Sequence, residues 1–340
     1  MKEFKTIEEQ IELLKSRNLK FINEQSAKDH LLSYGYYEII NGYKDYFLTS
    51  SDPDSYKNGS TFEQIFSLYN MDKGLQEGVL SATLDFERIL KTTIAYAIAE
   101  EYSSDQYKYL QKANYKTGKA HKDKNGHTYF DIDSVFKKFE YIINDDVEPF
   151  KHYRLKHENT PPWILFKGAT LGNMLYFYKL QKPDIKNRII SLMFDIPIDF
   201  LKIDKNGVIK NFFSDLLSLN YSFRNRTAHS GRIYNYKSEK SSMRHNVILH
   251  SRLGIDNRLY RQGFGRNDLY TLLCGLSFLK DKTVSIKLAV HININIKKYL
   301  DLYPEDKPKI LNSIGIPPNK CIVTDDKIID IMQLLDDTSK

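Results

Sequence analysis

The sequence is short of cysteine, of tryptophan and of long apolar runs. Its two cysteines, Cys274 and Cys321, lie far apart without a CxxC pairing, which excludes a disulfide framework and a thiolate zinc site. No stretch approaches the roughly 18 uncharged apolar residues that a membrane span needs. The start, MKEFKTIEEQIELLKSRN, is a charged helix pattern rather than a secretory signal, so the expectation is a cytoplasmic protein with no membrane partner. The GxxxxGK[ST], HExxH, GxSxG and strand-linked GxGxxG patterns are absent, and Gly263-Phe264-Gly265 is too short for a phosphate cradle. His121 and His127 sit in a polar stretch without a cysteine or a close carboxylate pair, so neither a metal site nor a cofactor is expected. The pairs Asp145-Asp146 and Asp325-Asp326 read as solvated turns. Arginine too is scarce, except in one place. Eight of the twelve arginines fall between 224 and 266, where two lysines and two carboxylates bring the net charge to +8, against +7 for the whole chain. Arginine presents a planar fork of donors suited to phosphate oxygens and to stacking on bases, so this window points to a polyanion, and to nucleic acid before lipid.

What is present is a folding chain. A hydrophobic fraction of 41% and a charged fraction of 27% in 340 residues suit a globular protein with a sizeable core. Helical spacing dominates: Thr6 to Arg17, a second segment from Ser26, and a proline-free run from Thr61 to Tyr102 that Gly74 or Gly78 would interrupt. Residues 34 to 47, YGYYEIINGYKDYF, fit either a strand or an irregular turn packed on its own tyrosines. Residues 114 to 129 read as an exposed loop, with Asp131 or Asp133 capping the helix that follows. The stretch 160 to 181 reads as one apolar helix opened by prolines, and further helices are expected over 209–219, 269–279 and 285–300. The expectation is an all-α helical bundle with additional N- and C-terminal helices. Residues 1–60 would form an N-terminal segment packed on the core, 61–282 the core with the basic window, and 283–340 a C-terminal appendage.

The most informative stretch is YSFRNRTAHSGRIYN, residues 221 to 235. Arginine placed five to seven positions before histidine is expected about once by chance in a chain of this composition, and it occurs twice, at Arg224/His229 and at Arg244/His250. Only the first has a small polar residue, Asn225, directly after the arginine. RNA can be cut without metal when its ribose 2′-hydroxyl attacks the adjacent phosphorus. That reaction needs a proton carrier, which histidine supplies near neutral pH, and a cation to steady the phosphate. On a continuous helix Arg224 and His229 project about 140° apart. Either the helix ends near His229, as Ser230-Gly231 suggests, or a second copy of the motif completes the site. The competing reading is a helix-terminal histidine stabilised by the helix dipole, with Arg224 paired to a core carboxylate.

Five stretches together resemble a known family: TIEEQIELLKSRNLKFINE, LLSYGYYEIINGY, FEQIFSLYNMDKGLQEGVLSATLDFERILKTTIAYAIAEEY, TPPWILFKGATLGNMLYFYKLQ and RNRTAHSGRIYN. They are similar to the Abi-like (AbiD/AbiF) proteins of bacterial abortive-infection defence, a branch of the HEPN superfamily whose motif is shared with the effector nucleases of type VI CRISPR systems. The superfamily's arginine, polar residue and histidine fall on Arg224, Asn225 and His229, and the arginine and Tyr-Asn that follow fall on Arg232 and Tyr234-Asn235. Two positions depart from the pattern: Ser230 stands where a second histidine is frequent, and Lys167 where an acidic residue is frequent. The resemblance implies a HEPN-type fold, metal-independent endoribonuclease activity, a composite site from two motifs in a homodimer, and a toxin-like role restrained by a noncoding RNA or another partner. His229 is then the acid or base, Arg224 the phosphate clamp, and Asn225 the residue that orients the histidine or the ribose. Arg226, Arg232, Tyr234 and Asn235, with Arg244, Arg252, Arg258, Arg261 and Arg266 of the basic window, are the expected RNA-binding residues. The alternative is a noncatalytic protein that holds a structured noncoding RNA in the same patch.

Overall fold

The protein is described here by a computed structural model covering residues 4–318 and 328–336; Cys321 and the Asp325-Asp326 pair lie outside the described residues. The chain is 65% helical and 5% strand, so the all-α expectation holds. Helix α1 (Ile7–Ser16) opens at a reciprocal cap in which Glu9 N–H donates to Thr6 Oγ1 at 3.2 Å and Thr6 N–H to the Glu9 carboxylate at 2.7 Å. After α2 (Glu24–Tyr34), the tyrosine-rich stretch forms a π-helical turn, Tyr37–Asn41, and a 3-10 turn, Lys44–Tyr46, so of the two alternatives the irregular turn is the one realised. A small antiparallel hairpin, β1 (Leu48–Ser51) and β2 (Asp54–Tyr56), leads into α3 (Phe62–Glu101).

Helix α3 runs 40 residues without a break, which corrects the expected interruption at Gly74 or Gly78. The reason lies across the interface. A Cβ on Gly74 would sit 1.9 Å from Asn295 Oδ1, and one on Gly78 would sit 2.4 Å from His291 Cβ. The glycines are slots into which α15 (Thr283–Leu300) presses, and that packing offsets their poor helix propensity.

Between them run α4 (Gln106–Tyr109), β3 (Ala120–Lys122), β4 (Thr128–Phe130), α5 (Asp131–Ile143), α6 (Phe150–His157), α7 (Pro162–Gly168), α8 (Leu171–Lys179), α9 (Pro183–Phe194), α10 (Ile198–Ile203), α11 (Val208–Ala228), α12 (Val247–Leu253), α13 (Asn257–Arg261) and α14 (Leu269–Leu276). Helices α16 (Lys307–Ile314) and α17 (Ile331–Asp336) follow α15. The expected loop at 114–129 therefore contains an antiparallel hairpin, β3–β4. Of the two candidate caps behind it, Asp133 is the one that accepts the Phe130 N–H, at 2.8 Å. The expected single helix over 160–181 is two, because Thr170 starts a new one by accepting the Asn173 N–H at 3.2 Å. Helices α7, α9, α11 and α15 all pack on α3. Among the described residues, most buried apolar side chains belong to a connected cluster from Ile11 to Leu334. Among the described residues, no helix is long and apolar enough to cross a membrane.

Candidate functional site

Helix α11 buries Phe212, Phe213, Leu216, Leu217, Leu219 and Phe223 on one side and leaves the polar end of the motif on the other. It stops at Ala228. His229 is the C-cap, Ser230 takes the left-handed conformation at φ 53°, and two bonds close the end: Ser230 N–H to Thr227 O and Gly231 N–H to Arg226 O, both 2.9 Å. This double closure is a Schellman turn with serine where glycine is usual. It sets the exposed His229 at the helix end rather than on its flank, as Ser230-Gly231 suggested. No hydrogen bond to the His229 ring is present among the described residues, so its nitrogens are open to an incoming group.

The ring borders a cleft of about 980 Å³ between α8, α11 and the segment 231–241. Asn225, Arg226, Arg232 and Asn235 also line it, as do Lys179, Lys237 and Lys240, with Glu239 as the sole carboxylate among the described residues and Tyr176, Tyr221 and Tyr236 as aromatic walls. Arg226 donates from Nε to the Arg232 carbonyl at 3.1 Å and lies 5.2 Å from the Tyr236 ring centre, and the Arg232 guanidinium donates to the Gly42 carbonyl above Tyr43. Cations prepositioned on aromatic faces and carbonyls form a positive wall with little freedom left to lose on binding.

Beneath this wall lies a fully buried carboxylate. Asp72, on α3, accepts the Tyr43 hydroxyl at 2.6 Å, the Gln76 amide at 2.9 Å, and the main-chain N–H groups of Ile233 at 2.9 Å and Tyr234 at 2.6 Å. Burial is the largest influence on its titration and pushes the carboxyl up, with the four donors opposing it. One side chain thus ties the tyrosine-rich turn, the long helix and the segment after the motif into one floor. Tyr234 belongs to that floor: it is 3% exposed, stacked 5.9 Å from Tyr43, and burial pushes its phenol up to about 12. Of the residues expected to bind RNA, Tyr234 is thus placed in the floor, beneath the surface that Arg226, Arg232 and Asn235 present to the cleft.

Arg224 stands apart. It does not line the cleft; its Nε lies 3.8 Å from Oε2 of the buried Glu87, whose other oxygen is 2.7 Å from Lys91 Nζ. Its Nη1 reaches the Asn225 side-chain oxygen at 3.4 Å, so Asn225 links two faces of the helix. Glu87 is the core carboxylate that the helix-terminal reading of the motif pairs with Arg224. The groove on that side, about 380 Å³, is bordered by the exposed Leu84 and Trp163 and by Lys167.

The five downstream arginines do not line the cleft either. Arg244 makes a forked pair with Asp215 at 2.8 and 2.9 Å; Arg252 donates to the Leu334 carbonyl and lies 4.5 Å from the Phe278 ring; Arg266 donates to the Tyr260 carbonyl at 2.9 Å and stacks on its ring. Arg258 and Arg261 are exposed on α13. His250, of the second Arg/His spacing, is 1% exposed and bonded to Asn246 and to the Gly265 carbonyl, and burial lowers its pKa. It is a core histidine.

Sequence reasoning missed Asp72, Tyr43 and Glu87, and also Lys179, Lys237 and Lys240. Only Asp72 and Glu87 left a trace: each is an acid on the buried face of α3, in step with Tyr69, Leu75, Val79 and Leu90, and such an acid needs partners. His121 and His127 pair with Asp131 and Asp123 at 2.7 and 3.3 Å. Among the described residues no group of three or more metal-ligating side chains is assembled.

Compared with known proteins, the chain matches the family described as Abi-like protein over residues 29–235, more than half its length. No curated protein and no solved structure matches it.

Proposed function

The chain belongs to the Abi-like protein family, and from that premise we propose that it is a metal-independent endoribonuclease of HEPN type that acts in abortive infection, as a toxin held in check by a noncoding RNA or a protein partner. The observation that carries this reading is the open His229 ring in a cleft whose wall holds Lys179, Arg226, Arg232, Lys237 and Lys240 against Glu239 alone. A phosphodiester brought there by charge meets a proton carrier.

In the reaction, the ribose 2′-oxygen bonds to phosphorus as its proton leaves, and the bond to the 5′-oxygen breaks as that oxygen gains a proton. The products are a 2′,3′-cyclic phosphate and a 5′-hydroxyl. His229 makes one of the two proton transfers, and Asn225, on the same helix face, orients the ring or the ribose. Within one chain the cations that share the cleft with His229 are Lys179, Arg226, Arg232, Lys237 and Lys240. Arg224, turned toward Glu87 and the exposed Leu84 and Trp163, serves a phosphate only across a two-fold pairing in which two motifs share one cleft. Mixing Arg224→Ala with His229→Ala protein and allowing subunit exchange should then restore part of the activity; full activity in a monomer would rule out the shared site.

The position of Arg224 is also what favours the second reading, a noncatalytic protein that holds a structured noncoding RNA, because its partner there is a protein carboxylate. Incubation of labelled RNA with wild type and His229→Ala protein in EDTA separates the two. The nuclease reading expects cleavage by wild type only, with cyclic phosphate ends. Products with 3′-hydroxyl ends would point to a metal-activated water instead, and tight binding without cleavage would establish the second reading.

A further inference from the structure

The β3–β4 hairpin is hard to account for by folding alone. Every residue from 116 to 130 is exposed and none enters the core, so the ribbon stands on hydrogen bonds at its foot, whereas two strands without such support are marginal in water. Its charge is one-sided. Lys116, Lys119, Lys122 and Lys124 stand against Asp123, which is occupied by the main-chain N–H groups of Asn125 and His127 at 2.9 Å each, and Asp131 at the foot, which is occupied by the Lys119 N–H and by His121 at 2.7 Å each. Tyr129 stacks on His121 at 5.3 Å, so an aromatic platform stands among the lysines.

The base of the hairpin is stitched to the wall of the cleft. Lys116 N–H donates to the Leu180 carbonyl at 2.8 Å, at the end of α8, where Lys179 lines the cleft. Lys186 donates to the Lys179 carbonyl at 2.7 Å, and burial, with the nearby charges of Lys116 and Lys179, lowers its pKa. Among the described residues none of these three lysines pairs with a carboxylate. Capping of the α8 carbonyls accounts for Lys186, and the Lys179 ammonium lies 5.5 Å from the Tyr176 ring centre; neither contact accounts for Lys116 or for the lysines of the exposed ribbon.

Resting on the ribonuclease reading above, we propose that the β3–β4 hairpin, with Lys116 and Lys186 at its base, is a second RNA-binding surface that takes the phosphate backbone of a strand leaving the cleft past Lys179. It gives the protein a preference for RNA longer than the cleft holds. The hairpin lysines meet phosphates and the Tyr129–His121 platform meets a base, as on other surfaces that track single strands.

The test uses His229→Ala full-length protein, so that affinity is read without cleavage, with a 20-nucleotide and a tetranucleotide RNA. Adding Lys119→Gln, Lys122→Gln and Lys124→Gln should raise Kd for the long RNA by about tenfold or more at 150 mM salt and lower its log–log salt slope by about 2, since each lost single-strand phosphate contact removes roughly 0.7. Tetranucleotide affinity should stay within twofold. A separate Lys116→Gln, Lys186→Gln protein should show the same length-selective loss, with thermal unfolding as the control for the α8 cap. Equal losses on both RNAs, or none on the long one, would overturn the proposal. So would unchanged RNA binding with a shift from dimer to monomer, which would assign the hairpin to a protein contact. Because affinity alone is read, these outcomes stand whether or not wild-type protein cuts RNA.

Discussion

Replacing Asp72 by alanine should unseat the segment that follows the motif before it unfolds the protein. The carboxylate satisfies four donors, two of them the main-chain N–H groups of Ile233 and Tyr234, which are 0% and 3% exposed and have no route to water in the folded state. Each orphaned buried donor costs about 1–3 kcal/mol, so the two amides alone amount to about 2–6 kcal/mol. A domain has roughly 5–15 kcal/mol of total stability, so release of residues 232–236 is the cheaper response. It would carry Arg232 and Tyr236 out of the cleft wall. Tyr43→Phe removes a single donor and leaves the amides served, so its effect should be about 1–2 kcal/mol. Amide hydrogen exchange reads this directly: in Asp72→Ala, protection at Ile233 and Tyr234 should fall at least about 30-fold, at tenfold per 1.4 kcal/mol, while amides in the middle of α3 change far less. If both amides keep wild-type protection and the melting temperature is unchanged, Asp72 does not hold the floor and the reasoning fails.

Ser230→Gly relieves a left-handed serine and should raise stability by about 0.5–1 kcal/mol in urea unfolding. Gly78→Ala drives a methyl to 2.4 Å from His291 Cβ, so α15 must back away; thermal unfolding should show a loss of about 1–3 kcal/mol in spite of better helix propensity. Asp268, fully buried, has its carboxyl raised by burial from 3.8 to about 6. A raised pKa means that its contribution is complete below about pH 4 and is lost as pH rises through about 6, roughly 3 kcal/mol in all. Denaturation between pH 4 and 8 should therefore show a fall that is smaller in Asp268→Asn than in wild type, the remainder coming from Asp72, whose carboxyl burial also raises. Arg258→Gln and Arg261→Gln should each weaken RNA binding and lower its salt slope by under one, whereas Arg244→Gln, whose guanidinium is already held by Asp215, should leave affinity within twofold.

Periodicity made the long helices legible, because α3, α11 and α15 each bury one stripe. The end of α11 was legible for a similar reason, since Ser230-Gly231 offers the turn that a helix needs to stop. What stayed hidden depends on contacts between distant residues. Gly74 and Gly78 look like breaks until Asn295 and His291 are seen to fill them. The tyrosines of 34–47 have a turn's irregularity but no signal for their partners, Asp72 and Tyr234. Arg224 and Arg226 are equivalent in charge, and only the phase of the helix against Glu87 separates the one facing away from the cleft from the one inside it. The downstream arginines read as a single patch because composition cannot distinguish a guanidinium held by Asp215 from an open one.

The floor under the cleft joins residues far apart in the order in which a ribosome makes them. Gly42 and Arg232 are 190 positions apart, and Asp72 waits 161 and 162 positions for Ile233 and Tyr234. At roughly 5–20 residues per second of synthesis, that carboxylate spends about 8–30 seconds with half of its donors not yet made. A chain that stops between the end of α3 and Ile233, whether released early or clipped by a protease, has α3 and Tyr43 but no closed cleft. For a protein whose proposed activity would be turned on its own host, abandoned translation then yields an inert fragment rather than an unregulated one.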